Sequence, residues 1–381
     1  MALDSEVMTG FRAGEIEAAM AERDQALTLP PRAYTDPLIY ASEKEKLFRS
    51  GWMPVARVDQ VSAPGDYLGL TLLDQPLLVV RGQDGVVRVL SNVCLHRAAP
   101  LVEGTGNRKL FTCPYHAWSY DTQGQLVRAP HMEGAHGFDE KDCRLPEVRS
   151  ELWQGFILVN LEGDAAPFAP QVSTYTERFK GWQLERMAIA RTISFDSPWN
   201  WKVLVDNFME AYHHIATHST TLEPLFHARD ALTPDNDGPY SILHMPMAAD
   251  ADIFEGGFPL IAGLDAADAH DLFATVLFPS FLIAFQGNGA TWYQILPQTH
   301  DRFELRTHVL VDRAQFDEAG FAENADGASA LLSVIHQEDI EANDLVWAGL
   351  HAPLSRQGHL SPLEASIWQF NKWWVEKMGA R

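Results

Sequence analysis

The spacing of apolar residues changes character twice along the chain. The opening "MALDSEVMTGFRAGEIEAAMAERDQ" is acidic and alanine-rich, with a helical look that Pro30 and Pro31 end. "PLIYASEKEKLFRSG" predicts a second helix, stopped by Gly51. From Trp52 to about Asn160 the pattern shortens to runs such as "DYLGLTLL", "PLLVVRG", "VVRVLSNV", "LVRAP" and "GFILVNL", parted by Gly, Pro, Asp and Asn, which predicts a compact antiparallel β domain. Beyond the Pro/Ala loop "LEGDAAPFAP", helical stretches mix with strand runs such as "TVLFPSFLIAF" and "TWYQILP". The expected fold class is α+β, divided into N-terminal helices over 1–45 packing on the last domain, a β domain over 46–160, and a larger domain over 161–381 with an antiparallel sheet and surrounding helices. Within the last, "SVIHQEDIEANDLVWAGL" predicts a helix whose apolar face is Val334, Ile335, Ile340, Leu345 and Val346.

Composition narrows the classes. A chain of 381 residues, 46% hydrophobic, can bury the cores of two domains. Its formal net charge of −22 opposes binding to nucleic acid or to an anionic membrane surface. The start lacks the basic residues and apolar run of a signal peptide, and no run reaches the roughly 18 apolar residues of a membrane span, so a soluble, cytoplasmic protein is expected. Three cysteines do not make a disulfide framework and point instead to metal or redox work.

Two of them stand in "CLHRAAPLVEGTGNRKLFTCPYH", where Cys94-x-His96 and Cys113-x-x-His116 are separated by sixteen residues. Each pair ends a strand-like run, so two hairpin-like tips can carry four ligands to one point. A Cys2His2 zinc site uses such a set. So does a Rieske [2Fe–2S] centre, in which two thiolates hold one iron and two imidazoles the other. Imidazoles in place of thiolates remove negative charge and raise the potential to roughly −150 to +300 mV.

The second cluster is "NWKVLVDNFMEAYHHIATHS", which packs Glu210, His213, His214 and His218 into nine positions. Two histidines and a carboxylate on one side of a metal leave positions open for oxygen and substrate. Helical geometry alone favours His214 beside His218, four apart, whereas His213 and His218, five apart, point about 140° from each other on a regular α-helix. Phosphate loops, nucleophile elbows and dinucleotide fingerprints are absent from the sequence.

Together these motifs resemble the Rieske non-haem iron oxygenases, alpha subunit, over nearly the whole chain. The resemblance implies Cys94 and Cys113 on the inner iron of a [2Fe–2S] cluster, His96 and His116 on the outer iron, and Trp118 packed over it. It implies a mononuclear Fe(II) held by His213, His218 and a downstream helical aspartate. Asp339, second acid of "ED", matches best; Glu338, Glu341 and Asp344 compete. Siding with His213 requires a departure from α-helical geometry between Ala211 and His218. Glu210 takes the family's bridging position, linking a mononuclear-site histidine to a Rieske histidine of a neighbouring subunit, and Asn207 resembles an asparagine near the iron. The family further implies O2 as co-substrate, NAD(P)H acting through a separate reductase with or without a ferredoxin, and a homotrimer.

The substrate is a small molecule. Phe208, Phe273, Phe278, Phe281, Phe285 and Trp292 are candidate pocket walls, composed like ordinary core. They favour hydroxylation or demethylation of an aromatic or apolar-bodied compound. Glutamate rather than aspartate at position 210 resembles the members that oxidise quaternary ammonium compounds, which an aromatic pocket also clasps by cation–π contact. An iron–sulfur electron carrier or redox sensor is the alternative from another class.

Overall fold

Short alternating runs form one β unit and longer runs form another, and each has its own core. The structure, a computed structural model, describes residues 10–249, 251 and 257–379. It divides into Arg49–Ala166 and a second unit formed by the described residues up to Phe48 with those from Pro167 on.

The first unit contains β1 (Met53–Arg57), β2 (Asp66–Leu72), β3 (Gln75–Arg81), β4 (Val87–Ser91), β5 (Gly104–Asn107), β6 (Leu110–Thr112), β7 (Ser119–Asp121), β8 (Leu126–Arg128), β9 (Glu147–Trp153) and β10 (Phe156–Asn160). They pair antiparallel as a seven-stranded sheet, β1-β10-β9-β4-β3-β2-β5, and a three-stranded sheet, β6-β7-β8. A core of Tyr67, Leu78, Val80, Leu90, Phe111, Trp118, Tyr120 and Leu126 also encloses Cys94 and Cys113. The cysteines are therefore buried by the same apolar side chains that hold the sheets together.

The second unit is built on β11 (Met187–Ser197), β12 (Tyr240–Met245), β13 (Leu272–Leu277), β14 (Phe281–Gln286), β15 (Gly289–Thr299) and β16 (Arg302–Asp312), in the antiparallel order β11-β16-β15-β14-β13-β12. Its main helices are α1 (Pro37–Glu43), α2 (Trp201–Phe208), α3 (Phe321–Leu350) and α4 (Ala365–Met378). Period-two alternation gives the sheet two different faces. Ile193, Thr307 and Tyr293 are cross-strand partners on one face. Thr192, His308, Trp292, Ile283 and Thr275 form the next row and point to the other. The first face carries α3, whose His336 packs its ring on Phe195. The second is filled by Tyr175, Phe179 and Trp182.

Of the predicted opening helix, residues 1–9 lie outside the described residues, and the described remainder is helical only at Glu15–Ala19. That segment is nonetheless tied down, because Trp368 Nε1 donates to the Ala21 carbonyl and Leu27 bridges to His359. No helix among the described residues is long and apolar enough to cross a membrane. The apolar face expected of α3 is corrected: Val334, Leu345 and Val346 are exposed, and the buried stripe is Ala325, Leu332, His336 and Asn343. Both stripes recur at helical spacing, so the pattern locates a helix without saying which face turns inward.

A buried ion pair fixes α2. Lys202 Nζ lies 2.6 Å from Glu43 Oε1, both side chains fully inaccessible, and the indoles of Trp201 and Trp374 donate to the same carboxylate at 2.9 and 2.7 Å. The pair thus ties α1, α2 and α4 together. One turn on, Tyr34 donates to Asp206 at 2.6 Å, and burial pushes the Asp206 carboxyl up to about 7. Lys202→Met strands a buried carboxylate and is expected to cost about 3–5 kcal/mol in urea unfolding. Lys202→Met with Glu43→Gln should recover part of that loss; equal losses in the single and double variants would show that the charge pair is not the cause.

Candidate metal centres

In the first unit the two ligand loops share one backbone design. The Ala98 amide donates to the Cys94 carbonyl and the Cys94 amide to Ala99; likewise Ala117 donates to Cys113, and Cys113 to Trp118. Each loop closes through an alanine in the left-handed region, Ala98 at φ 57° and Ala117 at φ 58°. The cysteines are buried and the histidines exposed, with His96 Nδ1 and His116 Nδ1 3.1 Å apart. One metal ion at about 2 Å from each nitrogen can hold both.

Aromatic residues brace the loops. Trp118 stacks on His96 with centroids 4.9 Å apart and planes within 11°. Tyr120 bonds to Cys94 Sγ at 3.4 Å and accepts from the Leu95 amide at 3.0 Å. Arg97 reaches across to the Tyr115 hydroxyl at 3.1 Å. Two buried thiolates and two rim imidazoles fit a [2Fe–2S] cluster, its histidine end toward solvent.

In the second unit α2 starts at Asn200, whose side chain caps the Lys202 amide, and stops at Phe208. Tyr212–Ile215 then forms a 3₁₀ turn, and the His218 carbonyl accepts from the amides of Thr221, Leu222 and Glu223. The backbone therefore departs from α-helical geometry between Ala211 and His218. This brings His213 and His218 to one carboxylate: Asp339 Oδ1 lies 3.0 Å from His218 Nε2 and 3.6 Å from His213 Nε2. One ligand atom from each of the three residues falls within 4.8 Å of the others. Two imidazoles and one carboxylate fit a mononuclear iron with open positions.

Neighbouring residues orient these rings. Glu210 grips His213 twice, through the backbone amide at 3.0 Å and Nδ1 at 2.5 Å. Glu338 accepts from His218 Nδ1 at 2.7 Å and from the Thr221 hydroxyl at 2.7 Å. With Nδ1 of each ring engaged, Nε2 is left to face a metal. Burial lowers the His213 pKa, but the bonds to Asp339 and Glu210 outweigh it and raise it to about 10. The same balance raises His218. Burial opposes ionisation of Asp339, yet the two histidines hold it well below the usual carboxylate range.

The remaining candidates separate. His214 is buried, with Nδ1 3.4 Å from the Phe226 carbonyl, and burial pushes it down to about 3. Asp344 accepts from Trp199 Nε1 at 2.8 Å, and Glu341 is exposed. Asn207 is half-buried and makes no side-chain hydrogen bond among the described residues. Phe208 meets Tyr293 edge-on at 4.9 Å, and the Asp339 charge adds to burial in raising the Tyr293 phenol.

The other pocket candidates are corrected. Trp292 pairs with Ile283, and Phe273 with Phe285, in rows that face away from Tyr293. Trp292 stacks on His308, and Phe273 and Phe285 pack with Phe179 and Trp182. Phe281 meets Trp292, and Phe278 packs on Phe370 and Trp373 of α4. Glu338, read in the sequence only as a competing ligand, instead accepts from His218 Nδ1; Tyr293 and His336 went unread, and only the alternation that turns Tyr293 to the opposite face from Trp292 was available as a signal.

Comparison with known proteins gives two family matches, "Rieske [2Fe-2S] domain" over residues 51–146 and "Ring hydroxylating alpha subunit (catalytic domain)" over residues 184–380. The carnitine monooxygenase oxygenase subunit of Acinetobacter baumannii is 33% identical over 196 residues, 51% of this chain and 53% of that protein, so the match spans about half of that relative. The chloroplastic choline monooxygenase of Spinacia oleracea is 26% identical over 358 residues, 92% of this chain and 78% of that one. A solved quaternary ammonium Rieske monooxygenase superposes with a TM-score of 0.83 at 21% identity, covering 97% of this chain and 99% of that one, which speaks for the fold.

Iron analysis tests the histidine choice. His213→Ala should lower iron from about three to about two per chain with the cluster spectrum intact, while His214→Ala keeps the third iron; the reverse result would make His214 the ligand. A metal must also displace a proton from His213, whose pKa is raised to about 10, so Co(II) added to protein lacking the mononuclear metal should release about one proton per ion at pH 7. Apparent affinity then falls as pH falls; pH-independent binding without proton release would contradict the arrangement.

Proposed function

The chain belongs to the ring-hydroxylating alpha-subunit family of Rieske oxygenases, and on that footing we propose that it is the terminal component of a monooxygenase that oxidises a small quaternary ammonium compound. The observation that carries the oxygenase reading is the convergence of His213, His218 and Asp339 beside Glu210, in a chain that also carries a Rieske domain. An electron carrier or redox sensor has no use for that triad. In this reading Cys94, Cys113, His96 and His116 hold the cluster, and His213, His218 and Asp339 hold Fe(II). Iron of this type activates O2 with electrons delivered through the cluster.

The chain's own residues then have distinct tasks. Glu210 fixes the His213 ring and stands ready to meet a Rieske histidine of another subunit. The surfaces suit such a meeting: Leu95 and Tyr115 are exposed beside the Rieske histidines, and Tyr212 and Ile215 beside His213. A homotrimer is the assembly proposed, and a separate reductase, with or without a ferredoxin, supplies electrons from NAD(P)H in the cytoplasm.

Substrate class follows from Glu210 and from relatives named for carnitine and choline. Phe208 and Tyr293 offer aromatic faces near the site, and aromatic faces attract a methylated ammonium. The aromatic-substrate expectation loses its support, because Phe273, Phe285 and Trp292 face away.

Oxygen uptake with a suitable reductase should be stimulated by carnitine, choline or related trimethylammonium compounds and not by aromatic hydrocarbons; the opposite ranking overturns the substrate reading. Glu210→Gln should retain about three irons per chain yet slow turnover by a factor of about 10–100. Loss of the mononuclear iron in that variant would instead make Glu210 part of its binding set.

A further inference from the structure

His336 is an expensive residue to bury. It is 1% exposed, its ring packs on Phe195 with centroids 4.3 Å apart, and neither ring nitrogen has a hydrogen-bond partner. An unmet buried polar group is destabilising, and leucine in its place would carry no such penalty. Its surroundings offer one use. His336 stands one turn before Asp339 on α3, and its Nδ1 lies 4.0 Å from Asp339 Oδ2, beyond hydrogen-bond distance. The other oxygen of that carboxylate, Oδ1, is the one that faces His218 and His213.

We propose that His336 is a positioning residue for the mononuclear iron: in the metal-loaded protein Nδ1–H donates to Asp339 Oδ2, so that the carboxylate offers the metal Oδ1 alone. A shift of about 1 Å brings the pair to bonding distance. A carboxylate with both oxygens free to rotate can take two positions on a metal, whereas one held by a neighbour takes one and leaves the others to oxygen and substrate. Asp339 then has a partner on each side, as His213 has Glu210 and His218 has Glu338. The helix supplies the geometry, since residues three apart share a face.

This inference rests on His213, His218 and Asp339 being the iron ligands, and the test separates the two. His336→Phe keeps the packing on Phe195 but cannot donate; His336→Gln can. Fe(II) affinity is measured by equilibrium dialysis of the full-length, cluster-containing protein, together with the electron paramagnetic resonance spectrum of the nitric oxide adduct of its Fe(II). His336→Phe should bind Fe(II) about 10–100-fold more weakly with an altered spectrum, and His336→Gln should lie closer to the unaltered protein in both. A purely structural role would change the thermal stability of the iron-free protein and leave the spectrum alone. If the unaltered protein takes up no Fe(II) at the triad, the ligand assignment fails. If it does, and His336→Phe matches it in affinity and spectrum, only this inference fails. Should His336→Phe not fold, His336→Leu is read against His336→Gln in the same way.

Discussion

One carboxylate oxygen organises the second unit: Asp339 Oδ1, met by imidazoles that approach from 121 and 126 residues earlier in the chain. Two rings five residues apart cannot reach a common point from a regular helix, so α2 has to stop before them and the chain has to turn. Everything that precedes the turn serves to place it. Asn200 caps the start of α2, the buried Lys202–Glu43 pair ties it to α1 and α4, and the Ser366 hydroxyl bonds to the Met209 carbonyl just past its end. The irregular backbone that follows is held by a well-anchored neighbour.

The two centres were legible to different degrees. Both Cys-His pairs are contiguous in sequence, and a local loop design carries them, so spacing sufficed. That His213 rather than His214 gathers with His218 and Asp339 was legible only from the family spacing, because helical periodicity pointed to His214. The end of α2 at Phe208 involves neither glycine nor proline, and the Met209 carbonyl just beyond it accepts from the Ser366 hydroxyl. Asp339 was one acid among several in a helix. Glu338 and Asp344 found other partners, His218 and Trp199, and no property of the sequence distinguishes those partners in advance.

The fold class was read correctly from the change of period, but the face of α3 was not. Val334, Ile335, Ile340, Leu345 and Val346 recur at helical spacing, and the expectation turned them inward. Where a helix supplies a metal ligand from its buried side, the apolar rule is reversed locally, because the site needs titratable groups there. The pocket candidates borne on strands, unlike Phe208, lie on the other face of the sheet for a related reason. Aromatic residues crowd a strand on both faces, and only the register to its neighbours shows which face looks toward Asp339.

That polar inner face bears on how the second unit holds together. A helix of thirty residues usually docks by burying leucines, yet α3 lays His336, Asp339 and Asn343 against its surroundings. Its adhesion draws on little apolar area there and leans instead on bonds that converge at Asp339. In the proposed assignment metal would be a ligament as well as a reagent: an ion held by Asp339, His213 and His218 would tie the middle of α3 to the turn after α2 and add its binding free energy to that attachment. Loss of such an ion would then loosen α3 where it carries Asp339, while the apolar cluster of Ala325 and Leu332 nearer its start stays packed on the sheet.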